Sequence, residues 1–129
     1  MELYIGGSGQ GKQQYVRNIH SELLFLVYDE KNIDKLFACE EVKTVLIDHL
    51  HLWIRDKLKQ GDDPEILINN IILKYPDCVI ISDEIGNGLV PVDAFEREYR
   101  DRTGKILIEL AKKAERVERI ICGLGQRLK

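Results

Sequence analysis

The sequence predicts an α/β fold, three layers deep, in which helices cover both faces of a mostly parallel sheet. Two observations support this prediction. Several strand-like runs are apolar throughout rather than alternating, as expected for strands that are buried on both faces. Helical patterns separate most of these runs along the chain. Because the chain has 129 residues and shows no linker or internal repeat, it is expected to form one domain, residues 1–129.

The first part of the chain is expected to form three strands and one helix. Glu2–Ile5 has the composition of a short strand, a glycine-rich loop follows it, and Lys12–Leu23 carries a helical pattern. Two further apolar runs of strand length come next, separated by a polar segment that is predicted to be a loop or a short helix. In chain order, these three segments are Leu24–Tyr28, Asp29–Glu41 and Thr44–Asp48.

The second part of the chain is expected to alternate helices and strands. Leu50–Gln60 has a helical pattern that Gly61 closes. Pro64 suits the first position of another helix, which continues towards Pro76. The remaining expected elements are the strand Cys78–Ser82, a long helix capped by Asp93, and a last strand at Val117–Cys122.

Composition limits the expected partners and location. The net charge of −3 and the pI near 5.6 lack the basic excess of nucleic-acid-binding domains, so no nucleic-acid partner is expected. Neither a membrane span nor a secretory signal is visible in the sequence. The three cysteines are widely spaced, which favours a reducing, cytoplasmic location. Cys78 and Cys122 lie in apolar runs and are expected to be buried thiols.

A glycine-rich loop carries the main functional signal. The segment from Gly6 to Lys12 reads GGSGQGK and fits the phosphate-loop pattern G-x-x-x-x-G-K. In such a loop, inward-pointing backbone N–H groups, the start of the next helix and the lysine all attract phosphate. The alternative is a surface turn with a solvated lysine, but the position between a predicted strand and helix favours phosphate binding. The candidate cofactor-binding residues are Gly6, Gly7, Ser8, Gly9, Gln10, Gly11, Lys12 and Gln13.

The loop departs from the full motif at one position. Gln13 stands where a Ser or Thr hydroxyl normally holds Mg²⁺. An amide oxygen is able to bind a hard cation, but it sits on a longer arm, and Mg²⁺ requires near-ideal octahedral geometry. We therefore expect weakened Mg²⁺ coordination rather than loss of phosphate binding.

Acidic residues follow two of the predicted strands. Because ligands of open parallel sheets bind at the carboxyl ends of the strands, Asp48, Asp83 and Glu84 are candidates for orienting Mg²⁺ through water. The alternative is that they cap a helix or turn. Asp48 is preferred because it ends a β-branched run directly before a helix, and together with Gln13 it is the predicted metal-associated pair. Glu84 lies in a glycine-flanked loop that is suited to closing over a substrate.

Five segments together resemble one enzyme family. They read YIGGSGQGK, VLIDHLHLWIRDKL, ISDEIGNGLVP, EREYRDRTGK and IICGLGQRLK, and the likeness spans residues 1–28 and 43–129. The combination of GNGLVP and YRDRTG is far more specific than the glycine-rich loop alone. On these segments the chain resembles the bifunctional adenosylcobinamide kinase/adenosylcobinamide-phosphate guanylyltransferase family of cobalamin synthesis.

The resemblance implies a RecA-like P-loop NTPase fold and a protein that binds ATP or GTP together with Mg²⁺. It also implies phosphorylation of the aminopropanol hydroxyl of adenosylcobinamide, a corrinoid, followed by attachment of GMP. Carried over by position, the expected catalytic residues are Lys12 on the outer phosphates, Asp48 beside Mg²⁺, Glu84 in the glycine-flanked loop and Arg100, which would offset charge in the transition state. Family members form oligomers, so a homo-oligomer is expected.

Several positions differ from the family pattern. Gln13 replaces a serine, Asp83 replaces an asparagine, and Leu107 and Ile108 replace an Asn-Gln pair. The family segment with the histidine that takes GMP has no counterpart, because residues 29–43 are too short and contain no histidine. Guanylyl transfer is therefore doubtful, whereas phosphoryl transfer needs mainly positioning and charge neutralisation.

Two other interpretations stay open. The chain is either a catalytically degenerate nucleotide-binding module with a regulatory or partner role, which Gln13 and the apolar pair on the long helix favour, or a scaffold that binds no nucleotide. His49 and His51 stand where the family has Cys and Thr, and they are expected to line a polar pocket rather than to bind a metal.

Overall fold

The computed structural model describes residues 1–21, 26–38, 44–86, 88 and 90–129. The strands in this part of the chain are β1 (Glu2–Gly6), β2 (Leu26–Tyr28), β3 (Val45–Ile47), β4 (Val79–Asp83), β5 (Arg116–Ile121) and β6 (Leu124–Arg127). The α-helices are α1 (Lys12–Ile19), α2 (Leu50–Lys59), α3 (Pro64–Lys74) and α4 (Ala94–Lys113), and a 3₁₀ helix spans Ile33–Phe37.

All six strands form one sheet in the order β2-β3-β4-β1-β5-β6. The neighbours from β2 to β5 pair in parallel, and only β6 runs antiparallel, to β5. The predicted mostly parallel α/β sheet is therefore confirmed. Because β1 lies between β4 and β5, the loop that follows β1 has the carboxyl ends of β4 and β3 on one side and the end of β5 on the other.

Helices lie on both faces of the sheet, as predicted. On one face, Leu3 and Ile80 share the larger core with α2, α3 and α4, in which Trp53 is fully buried. On the other face, Tyr4 and Ile81 form a smaller cluster with Val16 of α1. Successive residues of β1 and β4 thus point into different cores, which explains why these strands are apolar without alternation.

Local capping signals in the sequence predict the starts of two helices correctly. The Asp93 side chain accepts a hydrogen bond from the backbone N–H of Phe95 at 2.7 Å, so it caps α4 as predicted. Pro64 is the first residue of α3, and the side chain of Asp63 caps that helix.

The carboxyl end of the chain differs from the prediction. β5 turns at Cys122 and Gly123 into β6, an additional strand whose residues are all exposed. Both turn residues have positive φ, 51° and 74°, as in the two-residue type I′ turn that matches the twist of a hairpin. Cys122 is exposed, so the expectation of a buried thiol is wrong there, whereas Cys78 is buried as expected.

Other differences concern element ends. α1 ends at Ile19, and β2 begins at Leu26; the predicted Leu23 and Leu24 lie outside the described residues. The predicted loop or short helix at Asp29–Glu41 contains the 3₁₀ helix, and residues 39–43 also lie outside the described part. Within the described ranges, none of the helices combines the length and apolar character that crossing a membrane requires.

Candidate functional site

The glycine-rich loop connects β1 to α1 at the carboxyl edge of the sheet and borders a cleft of about 240 Å³. Two of its glycines have positive φ, 71° at Gly9 and 83° at Gly11, a conformation that lets successive N–H groups face one point. The predicted residues that line the cleft are Ser8, Gly9, Gly11, Lys12, Gln13 and Asp48. Gln14, His49, Ile81 and Asp83 complete the lining.

The tip of the β5–β6 hairpin supports the loop from the side. The side-chain Oε1 of Gln10 accepts a hydrogen bond from Cys122 N at 2.6 Å, and the Gln10 carbonyl accepts one from Gly123 N at 2.8 Å. Gln10 therefore faces the hairpin rather than the cleft. These two oxygen contacts help to fix the shape of the loop.

Lys12 is the first residue of α1, and its side chain is almost fully buried beside the cleft. The Nζ atom donates to the carbonyl of Gly7 at 2.6 Å and forms an ion pair with Oδ1 of Asp83, also at 2.6 Å. Asp83 ends β4, directly opposite Gly6 of β1 in the sheet register. The adjacent pairing of β1 and β4 thus brings the lysine of the loop and this carboxylate together.

His51 lies behind Asp83 and contacts it through both ring nitrogens. Nδ1 accepts a hydrogen bond from the Asp83 backbone N–H at 3.1 Å, which leaves the ring proton on Nε2. Nε2 lies 3.3 Å from Oδ2 of the same aspartate. Burial lowers the pKa of the His51 imidazole, and the nearby Lys12 ammonium adds to this effect against the opposing Asp83 carboxylate. A neutral His51 that donates from Nε2 to Asp83 fits both contacts.

Gln13 and Asp48, the predicted metal-associated pair, do lie together. Nε2 of Gln13 donates to Oδ2 of Asp48 at 3.0 Å, and Oδ1 of Asp48 accepts from the backbone N–H of His49 at 2.8 Å. The group offers amide and carboxylate oxygens, which are the ligands that Mg²⁺ prefers. Among the described residues, no three His, Cys, Asp or Glu side chains converge as a metal site, so a Mg²⁺ ion here would depend on phosphate oxygens and water for its other ligands.

Glu84 does not face the cleft. Its carboxylate is paired with the guanidinium of Arg119 on β5, with contacts of 2.8 Å to Nε and 3.0 Å to Nη2. Its backbone N–H donates to the carbonyl of Gly6 at 2.8 Å. Glu84 therefore connects the end of β4 to β5 across β1, and its contacts in this structure stabilise the base of the loop.

Arg100 lies on α4 beside a second cavity of about 250 Å³. Its guanidinium packs on Gly86 so closely that a Cβ atom at Gly86 would lie 2.7 Å from Nε of Arg100. Among the described residues, none forms a hydrogen bond or ion pair with the Arg100 side chain. Glu96 in the same cavity is paired with Arg55. The cavity thus contains one half-buried cation without a counter-ion among the described residues.

Three contacts at this site are not indicated by the sequence: those of Asp83 with Lys12, His51 with Asp83 and Arg119 with Glu84. The sequence offers Asp83 only as an alternative to Asp48, predicts a pocket wall at His51, and gives no indication of Arg119. The contacts of Asp83 and Arg119 depend on which strands are neighbours, and that of His51 depends on how α2 packs on β4. Neither the strand order nor this packing can be inferred from one sequence. The only available signal was that an acid follows an apolar strand.

A glycine-rich loop of this geometry, set between the central parallel strand and the first helix, defines the class of protein: a P-loop NTPase domain of the RecA-like α/β type. The family model described as "Cobinamide kinase / cobinamide phosphate guanyltransferase" matches residues 22–128. The chain belongs to this family. The glycine-rich loop lies before the matched range.

Curated relatives carry consistent names. The chain is similar to "Bifunctional adenosylcobalamin biosynthesis protein CobU" of Escherichia coli, with 25% identity over 93% of this chain and 74% of the relative. It is also similar to "Bifunctional adenosylcobalamin biosynthesis protein CobP" of Pseudomonas aeruginosa, with 32% identity over 70% of this chain. A CobU protein of Salmonella typhimurium is 33% identical over 60% of the chain. The matched regions span 56% and 44% of the Pseudomonas and Salmonella proteins, about half of each.

Proposed function

We propose that this protein binds a nucleoside triphosphate, ATP or GTP, in the cleft of the glycine-rich loop and transfers its terminal phosphoryl group to the aminopropanol hydroxyl of adenosylcobinamide. The observation that carries the proposal is the position of Lys12. Its side chain is buried at the cleft, at the start of a helix and in a loop in which Gly9 and Gly11 have positive φ. These features attract phosphate through charge and through backbone N–H groups.

Phosphoryl transfer requires positioning and charge neutralisation, and each residue around the cleft has a separate role in it. Lys12 contacts the outer phosphates, and backbone N–H groups of residues 8–12 hold the remaining oxygens. Mg²⁺, when bound, neutralises phosphate charge. Asp48 and Gln13 orient the water molecules on that side of the cleft, since their side chains already form one hydrogen-bonded pair.

The cavity beside Arg100 is the proposed acceptor region. It lies next to the segment after β4, whose first residue Glu84 is bonded to Gly6 of the loop strand. The guanidinium of Arg100, which has no counter-ion among the described residues, is suited to stabilising negative charge that develops on the transferred phosphoryl group. The apolar wall formed by Ile85 and Tyr99 is suited to a bulky acceptor.

Guanylyl transfer is not part of the proposal. Each histidine of the chain lies beside a carboxylate: His20 beside Glu2, His49 beside Glu30 and His51 beside Asp83. None of the three lies in residues 29–43, which stand where the resembled family has its nucleotide-accepting histidine.

The proposal is tested by binding and turnover in the same preparation. ATP or GTP with Mg²⁺ at ~100 times its Kd should stabilise the wild-type chain by about 2.7 kcal/mol in thermal unfolding. Lys12→Ala should abolish this shift, whereas Lys112→Ala, a change of an exposed lysine near the end of α4, should leave it intact. Incubation with adenosylcobinamide should then yield the phosphorylated corrinoid. A wild-type chain that shows no shift with either nucleotide would refute the proposal.

One observation favours a second candidate, a nucleotide-binding module without catalysis. Both carboxylate oxygens of Asp48 accept hydrogen bonds, one of them from Gln13 at the position where a metal-binding hydroxyl normally stands. A thermal shift that depends on Lys12, together with no phosphorylated corrinoid, would select this second function.

A further inference from the structure

The ion pair between Lys12 and Asp83 places a negative charge where the proposed function requires phosphate. Oδ1 of Asp83 lies 2.6 Å from Nζ of Lys12, and both side chains line the same cleft. Lys12 is also held by the carbonyl of Gly7 at 2.6 Å. The ammonium group therefore already has two oxygen partners before a ligand enters.

Asp83 is itself held in place by His51. His51 accepts the Asp83 backbone N–H through Nδ1, and its Nε2–H faces the second carboxylate oxygen at 3.3 Å. His51 is in turn fixed by the fold, since it is buried on α2 and its carbonyl accepts a hydrogen bond from the Tyr99 hydroxyl at 2.9 Å. The carboxylate thus has little freedom to rotate away from Lys12.

We propose that Asp83 competes with the triphosphate for Lys12 and so sets the nucleotide affinity of this protein, with His51 as the positioning residue that keeps the carboxylate on the lysine. The inference rests on the proposed nucleotide binding at this cleft. A phosphate group that reaches Lys12 must displace the carboxylate or accept its repulsion at short range, and both effects weaken binding.

The test is the affinity for ATP in Asp83→Asn, measured by calorimetric titration with and without Mg²⁺. Removing the negative charge with an isosteric side chain should tighten binding about tenfold, the effect of losing one competing charge-assisted contact. The tightening should be larger in EDTA than in Mg²⁺, because a divalent cation on the phosphates offsets the repulsion from a carboxylate. Asp83→Ser should act in the same direction and covers the case in which the asparagine variant does not fold.

A matched control removes the same charge elsewhere. Asp77 is exposed just before β4, whereas Asp83 is the last residue of that strand, so Asp77→Asn changes the net charge equally at the opposite end. It should leave the affinity for ATP unchanged. An equal gain in both variants would mean that net charge, rather than the contact with Lys12, is responsible, and would overturn the inference.

His51 is tested by a double-mutant cycle. Asn at position 51 loses the donor that faces Oδ2 of Asp83, so His51→Asn should tighten ATP binding in the wild-type background, by less than Asp83→Asn does. In the Asp83→Asn background it should have no further effect, because His51 acts through that carboxylate. An equal effect in both backgrounds would refute the positioning role.

The outcomes separate this inference from the proposed function. If the wild type binds ATP and Asp83→Asn binds it with the same affinity, the inference is refuted but the proposed nucleotide site is not. Binding by Asp83→Asn together with undetectable binding by the wild type would support the competition at Lys12 but overturn nucleotide binding as the function of the wild-type chain. No binding by any folded variant would overturn both.

Discussion

The side-chain amide of Gln13 donates a hydrogen bond to the carboxylate of Asp48 across 3.0 Å, at the position where a full phosphate loop has a metal-binding hydroxyl. The pair joins the first turn of α1 to the end of β3. In a full motif, the residue at this position and the acid are connected through Mg²⁺ and water. Here the side chains of Gln13 and Asp48 are hydrogen-bonded to each other directly.

The first prediction follows from this pair. Gln13→Ser should free Asp48 and restore a short hydroxyl, so that Mg²⁺ improves ATP affinity roughly tenfold more in the variant than in the wild type, within the range known for groups around a metal. The measurement is the Kd for ATP with Mg²⁺ divided by the Kd in EDTA. Gln126→Ser, on the exposed strand β6, is the control and should match the wild type. An identical Mg²⁺ effect in wild type and Gln13→Ser would show that position 13 does not face the metal.

The second prediction concerns the close approach of β1 and β5. A Cβ atom on Gly6 would lie 2.5 Å from the backbone carbonyl oxygen of Ile120, and a paired strand has little room to move. Gly6→Ala should therefore lower the free energy of unfolding by about 3 kcal/mol, as overpacked sites do. Gly104→Ala is the matched control, because its Cβ would meet no atom within 4 Å, and alanine favours the interior of α4 by about 1 kcal/mol. Urea unfolding measures both, and a fully stable Gly6→Ala protein would contradict the packing argument.

Elements with local signals were predictable from the sequence. The start of α4 was marked by Asp93 and the start of α3 by Pro64, since a cap and a first-turn proline act within a few residues. β6 has no such signal. Its residues Leu124–Arg127 are all exposed, and the Cys-Gly turn before it is not one of the common hairpin pairs.

The candidate site was predictable only in part. The loop and Lys12 are predictable as a candidate phosphate site because their chemistry is contained in seven consecutive residues. The partner of Lys12 was not found, because the contact with Asp83 exists only if β4 is the neighbour of β1. Glu84 is the converse case: it follows β4 as predicted, but its side chain is paired with Arg119 and does not face the cleft.

The third prediction concerns the hairpin that supports the loop. Cys122 has a φ of 51°, a left-handed conformation that costs most L-residues roughly 1 kcal/mol but that asparagine adopts readily. Cys122→Asn should therefore raise the free energy of unfolding by about 1 kcal/mol. The variant keeps the backbone N–H of residue 122, which donates a hydrogen bond to the side chain of Gln10. Cys122→Val is the comparison, since a β-branched side chain tolerates this conformation poorly and should destabilise the chain. If both variants unfold at the same urea concentration, the turn is not strained.

The fourth prediction is a pH dependence at the contact between α3 and α4. Arg102 holds Glu65 with two hydrogen bonds, 2.6 Å from Nε and 2.7 Å from Nη2. These hydrogen bonds lower the pKa of Glu65 from 4.5 to about 2. Because the folded-state pKa is depressed, the stabilisation is present above about pH 4.5 and is lost as the pH falls towards 2.

Glu65→Gln should therefore cost roughly 1 kcal/mol at pH 7, a small value because the pair is partly exposed and screened by solvent. The difference in the free energy of unfolding between wild type and variant should shrink steadily between about pH 4.5 and 2, where Glu65 takes up its proton in the folded wild type. Glu109→Gln is the control, because Glu109 and its partner Lys112 are both well exposed and should contribute little at any pH. A difference for Glu65→Gln that stays constant down to pH 2 would mean that Arg102 stabilises the helix contact through packing of its alkyl chain rather than through the ion pair.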